Sequence, residues 1–134
     1  MKIIVTSIMV DDQAKALAFY TEKLGFIKKK DIPMGEHRWL TVVSPEGGDV
    51  ELLLEPMGFT PAKVFQKQLF DAGIPCTVFG VEDTQKEYER LEAMGVVFKM
   101  KPANMGTVIM ASFEDTCGNI VAMAQQLNMP VNTQ

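Results

Sequence analysis

Apolar residues fall into short runs whose period alternates between strand-like and helix-like as the chain advances. Lys2 to Val10 is an apolar run rich in β-branched residues and reads as a strand. Asp11-Asp12 then offers capping carboxylates, and Gln13 to Leu24 has helical spacing through Ala14, Leu17, Tyr20 and Leu24. Gly25 stands where a left-handed helix terminus belongs. Phe26 to Lys30, Arg38 to Val43 and Val50 to Glu55 follow as strand candidates. They are separated by turn signals at Pro33-Met34-Gly35 and Ser44-Pro45-Glu46-Gly47-Gly48. A short helix comes next, with Thr60 as its cap, Pro61 at its first position, and Val64, Phe65 and Leu69 as its apolar side. Asp71-Ala72-Gly73 ends it.

After Gly73 the first pattern starts again. Ile74 to Val81 reads as a strand and Glu82-Asp83 as a cap. Thr84 to Met94 is a helix with a capping box from Thr84 and Glu87 and a stripe of Tyr88, Leu91 and Met94. Strands are expected around Val96 to Met100, Thr107 to Phe113 and Asn119 to Gln125. The register is close: Val10-Asp11-Asp12 recurs as Val81-Glu82-Asp83, Leu24-Gly25-Phe26 as Met94-Gly95-Val96, and the turn ending at Gly48 as the turn ending at Gly118. Two copies of a βαβββ unit joined by a helical linker explain this spacing. The expected fold is α+β, with two tandem βαβββ modules forming a curved mixed sheet around a cavity. It is read as a single domain over residues 1–134: module 1 about 1–56, linker about 60–73, module 2 about 74–126, then a C-terminal tail.

One helix per four strands leaves one face of each sheet without a helical partner. Val50, Leu52 and Leu54 fall on one side of their strand, and Glu51, Leu53 and Glu55 on the other. A carboxylate in mid-strand is best accommodated in a lined cleft. Composition then narrows the partners. The chain has 134 residues, 47% hydrophobic and 22% charged, which suits one globular core. A formal charge of −4 argues against nucleic acid, whose binding rests on Lys and Arg neutralising phosphates. The run Lys28-Lys29-Lys30, closed by Asp31, reads as a solvated strand edge. No apolar run is long enough to cross a membrane and no signal peptide is recognisable, so the expected compartment is the cytoplasm. Cys76 and Cys117 form no CxxC pair, and His37 is the single histidine, so a zinc cluster is excluded.

Several segments carry a resemblance. The string Val10-Asp11-Asp12-Gln13-Ala14-Lys15-Ala16-Leu17-Ala18-Phe19-Tyr20-Thr21-Glu22-Lys23-Leu24-Gly25-Phe26 resembles the opening of the vicinal-oxygen-chelate superfamily, which contains glyoxalases, bleomycin-resistance proteins and extradiol dioxygenases. Ala72-Gly73-Ile74-Pro75 resembles its fifth-strand entry, and Phe113 to Asn119 its final hairpin. The likeness runs to about Gln126. It implies a divalent metal held by one ligand from each of four strands, at positions that fall here on Val5, Glu51, Cys76 and Ala122. Two of those side chains have no donor atom, so no metal and no cofactor is expected.

The remaining wall of the cleft is expected to comprise Val5, Ser7 and Met9 from the first strand and Glu51, Leu53 and Glu55 from the fourth. Cys76 and Val78 join from the fifth and Ala122 and Ala124 from the last, with Trp39 stacking at the rim. Glu51 has two readings. It is either a general base or cation anchor, or a remnant carboxylate satisfied by a hydrogen bond or by Arg38. His37 reads as a rim residue, Cys76 as an inert small apolar residue without an activating base, and Cys117 as incidental to a hairpin turn. Three functions stay open. The leading one is a metal-free binding protein for a small apolar or aromatic molecule, with or without a cationic group, acting as a homodimer as related bleomycin-binding proteins do. The others are a lyase, isomerase or dioxygenase-like enzyme using Glu51 with an atypical or absent metal site, and a structural or regulatory interaction module without a ligand.

Overall fold

A computed structural model describes residues 1–128; the expected C-terminal tail from residue 129 onward lies outside the described residues. Module 1 consists of strand β1 (Val5–Val10), helix α1 (Gln13–Ala18) continued by a π-helical segment (Phe19–Lys23), and strands β2 (Ile27–Met34), β3 (His37–Val43) and β4 (Glu51–Pro56). Helix α2 (Thr60–Asp71) links it to β5 (Thr77–Gly80), α3 (Thr84–Ala93), β6 (Phe98–Asn104), β7 (Val108–Glu114) and β8 (Ile120–Gln126). The sheets have the orders β1-β4-β3-β2 and β5-β8-β7-β6, so both copies place the first strand beside the last. β1 runs parallel to β4 and β5 parallel to β8, while the other pairs are antiparallel.

The two modules share one apolar core. Ile8, Val10, Leu40, Val42 and Leu54 of the first sheet and Ala111, Phe113, Val121 and Met123 of the second belong to the same buried cluster. Phe19 and Tyr20 join them: Phe19 lies 6.3 Å from the Phe113 ring and Tyr20 6.3 Å from Phe79, centroid to centroid. The π-helical segment turns these two consecutive aromatics inward together.

Several local expectations need correction. The first turn is not at Pro33-Met34: both residues belong to β2, and Gly35 at φ +64° makes a two-residue turn with Glu36 between paired Met34 and His37. β2 is an edge strand, where proline leaves no ladder bond unmade. Asp83, not Thr84, caps α3 by accepting from Lys86 N, while the Thr84 hydroxyl donates to Ile109 O. Thr60 lies inside α2, whose cap position is Phe59. The side of α2 facing inward is set by buried Gln66, and Val64 and Phe65 are more than half exposed. Cys117 is not incidental, because it is fully buried in the core.

Candidate functional site

The strand registers decide which side chains share a surface. Val5, Ser7 and Met9 stand beside Glu51, Leu53 and Glu55 in turn. Thr41 pairs with Leu53, which puts Trp39 on this face of β3 as well. In the second sheet Val78 pairs with Ala122 and Gly80 with Ala124, and Ser112 and Met110 flank those alanines from β7. The core residues occupy the opposite sides, under α1 and α3. A cavity of about 110 Å³ brings Ser7 and Met9 of β1 together with Cys76, beside Phe65 and Leu69 of α2. Glu51, Leu53 and Trp39 lie further across the first sheet and do not line it. Val78 is 54% exposed, whereas Ala122 is fully buried and shapes the floor without presenting surface. His37 is exposed at the strand entrance.

Glu51 is satisfied within its own module. Its Oε1 accepts from the Thr41 hydroxyl at 2.7 Å, and its Oε2 meets Lys30 Nζ at 3.4 Å. These contacts hold its carboxyl below the ordinary carboxylate value, the hydroxyl donor contributing most and burial opposing. Arg38 is not its partner; that guanidinium pairs with Asp31 at 3.3 Å. Lys30 is therefore more than part of a solvated edge. A register shift between Lys28 and Lys30 breaks the regular pairing immediately before this residue. Thr41 and Lys30 escaped the sequence reading because both belong to neighbouring strands, and only pairing register brings them to Glu51.

Burial pushes the Cys76 thiol up to about 11, so it is protonated near neutrality. The family's metal positions thus carry two side chains without donors, one thiol and a carboxylate already engaged by Thr41 and Lys30. That donor set does not fit a divalent ion. Among the described residues no three His, Cys, Asp or Glu side chains are grouped to hold one.

A second polar cluster ties the modules together. Asp115, fully buried, accepts from the Tyr20 hydroxyl at 2.7 Å, from Asn119 Nδ2 at 2.8 Å, and from the backbone N–H groups of Cys117 and Asn119. Asn119 Nδ2 also donates to Met9 O, as does Gln66 Nε2 from α2. Burial, and then the Asp115 carboxylate, raise Tyr20 well above 10. This cluster aligns the end of β1 with the β7–β8 turn and so fixes how the two sheets meet.

The chain belongs to the Glyoxalase/Bleomycin resistance protein/Dioxygenase superfamily, matching it over residues 2–123. It is 58% identical over 127 residues to the uncharacterized protein YurT of Bacillus subtilis (strain 168), covering 94% of this chain and all of that one. Among solved structures it resembles UcmS2, with 34% identity, a TM-score of 0.82, and 94% and 98% of the two chains covered. TnmS3, an antibiotic binding protein from Streptomyces sp. CB03234, aligns with a TM-score of 0.74 at 28% identity over 95% and 97% of the chains.

Proposed function

We propose that this chain is a metal-free small-molecule-binding member of its superfamily. One domain of two modules would act in the cytoplasm as a homodimer and hold its ligand against the sheet faces turned away from α1 and α3. The observation that carries this reading is the wall itself, where donors needed for metal chemistry are replaced by Val5 and Ala122 while the surface stays apolar. The described antibiotic binding by TnmS3 supports the same ligand scale. Glu51, held in its charged form by Thr41 and Lys30, is a weak base, which favours binding over proton abstraction.

The favoured ligand is an aromatic or apolar molecule with a cationic or hydrogen-bond-donating group. Glu51 reaches such a group only if Lys30 swings aside. Glu55, four residues further along the same face, has no ion pair among the described residues and is the readier anchor. The edge strands β1 and β5 each have one unpaired side, and Ile4 (57% exposed), Ile74 (50%) and Val78 (54%) lie on or beside them. A second copy covering these residues would complete the cleft.

A thermal-shift screen of aromatic and polycyclic compounds tests the reading, with hits followed by Trp39 fluorescence. Val78→Trp is expected to abolish binding of a hit while the protein stays folded. Contacts that map to the outer surface of α3, or a hit indifferent to Val78→Trp, would overturn this site.

A further inference from the structure

A cavity of about 400 Å³ opens between the modules on the helix-bearing side of the sheets, apart from the proposed cleft. Its floor is apolar and aromatic. Phe26 follows the π-helical segment and Phe79 belongs to β5; their rings meet edge to face with centroids 5.1 Å apart, and both are partly exposed. The Ser44–Glu46 turn forms one rim, and the first turns of α3 form the other.

The internal repeat explains why space remains here. The β7–β8 turn is the second copy of the β3–β4 turn, and it is sealed against module 1: Asp11 N donates to Cys117 O at 3.4 Å, and Asp115 is anchored by Tyr20 and Asn119. The corresponding bond at the other junction would run from Glu82 N to Gly47 O. No such bond forms among the described residues. In the first turn Pro45 stands where the second has its buried, tethered Asp115, and the neighbouring Glu46 is exposed, so this junction stays open.

We infer that the open junction is a second binding site, suited to an aromatic molecule carrying an amine. About 300–1,000 Å³ is the usual scale of a small-molecule pocket, and this cavity falls within it. Its rim holds Glu46, Glu82, Asp83 and Glu87 against Lys86 and Arg90. Arg90 is bound to Glu87 at 2.8 Å, and Asp83 caps α3. Glu46, Glu82 and Lys86 have no ion pair among the described residues, and four carboxylates against two cations leave the rim acidic. An ammonium group would sit near these carboxylates while its ring packs on Phe26 and Phe79.

The test is a ¹H–¹⁵N titration with tryptamine, run beside indole-3-propionate, which has a similar ring and arm but the opposite charge. Tryptamine is expected to shift the amides of Gly25, Gly80 and Val81 saturably, with indole-3-propionate at least roughly tenfold weaker, the scale of one charge-assisted contact. The exposed pair Glu46→Gln with Glu82→Gln should weaken tryptamine roughly tenfold by the same loss. Val81→Trp should fill the space and abolish binding. Val78→Trp should leave tryptamine binding unchanged, which separates this site from the proposed cleft. Equal affinity for the two indoles, unchanged affinity in the Glu46/Glu82 double variant, or shifts centred on Ser7, Cys76 and Val78 would each overturn the inference.

Discussion

Gly118→Ala probes the contact that ties α2 to both modules. Gly118 has φ +96°, a conformation that side chains other than glycine rarely adopt. A methyl group there would stand 2.6 Å from Gln66 Oε1 and 2.8 Å from its Cδ. A glutamine amide on a free surface would swing away at little cost. Here Gln66 is buried, and its Nε2 faces Met9 O at 3.0 Å, Cys117 O at 3.1 Å and Asn119 Oδ1 at 3.1 Å. Its two hydrogens serve three acceptors, so displacing the amide forfeits up to two bonds at once. Backbone strain of about 1–2 kcal/mol and about 0.5–1.5 kcal/mol for each of two lost bonds combine to a destabilisation of roughly 2–5 kcal/mol. Urea unfolding at unchanged m-value measures it directly. Gln66→Ala removes the obstacle, so the double variant should be more stable than the sum of single losses by about 1 kcal/mol. A loss below about 0.5 kcal/mol for Gly118→Ala, or simple additivity with Gln66→Ala, would refute the clash.

Other consequences follow from the same contacts. Tyr20→Phe removes a hydroxyl from the buried Asp115 carboxylate and should cost about 1.5–3 kcal/mol in urea unfolding. Because Tyr20 titrates well above 10 when folded, the unfolded chain loses its proton first as pH rises. Stability should therefore fall above about pH 10, and less steeply in Tyr20→Phe. Glu51 has the opposite sign. Its folded value lies below the ordinary 4.5, so its contribution is present above that pH and lost as pH falls below it; Glu51→Gln should flatten the acid limb of a stability–pH curve. Cys76, exposed but raised to about 11, should be alkylated by iodoacetamide at a rate still climbing at pH 9, and Cys117 only on unfolding. Light scattering should give a dimer mass; a 14.9 kDa species at micromolar concentration would count against the shared cleft.

The repeat made most of the fold legible. Recurrence of Val10-Asp11-Asp12 as Val81-Glu82-Asp83 marks two helix starts, and Asp12 and Asp83 do cap α1 and α3. Alternation in Glu51 to Glu55 separates the two faces of β4 without any structure. What stayed hidden depends on contacts between distant residues. The inward face of α2 could not be read from its apolar spacing, because Gln66 is drawn in by acceptors from residues 9, 117 and 119. Lys30 and Thr41 meet Glu51 only through strand register, so the sequence suggested Arg38 as a partner of Glu51 and missed the two residues that bind it. The open junction is only half legible there: the aligned turns carry Pro45 and Asp115 at the same position, but the contacts of Asp115 with Tyr20 and Asn119 that seal the second turn appear only in the fold.

The most direct test of a metal-free binding role is elemental analysis of protein purified without chelators and then equilibrated with Ni, Zn, Mn or Fe. With Val5 and Ala122 donorless and Glu51 engaged by Thr41 and Lys30, Cys76 is left as a single uncommitted donor, and bound metal should remain well below one ion per chain. About one tightly held ion per chain, lost in Glu51→Ala, would contradict that role and return the protein to its superfamily's metal chemistry.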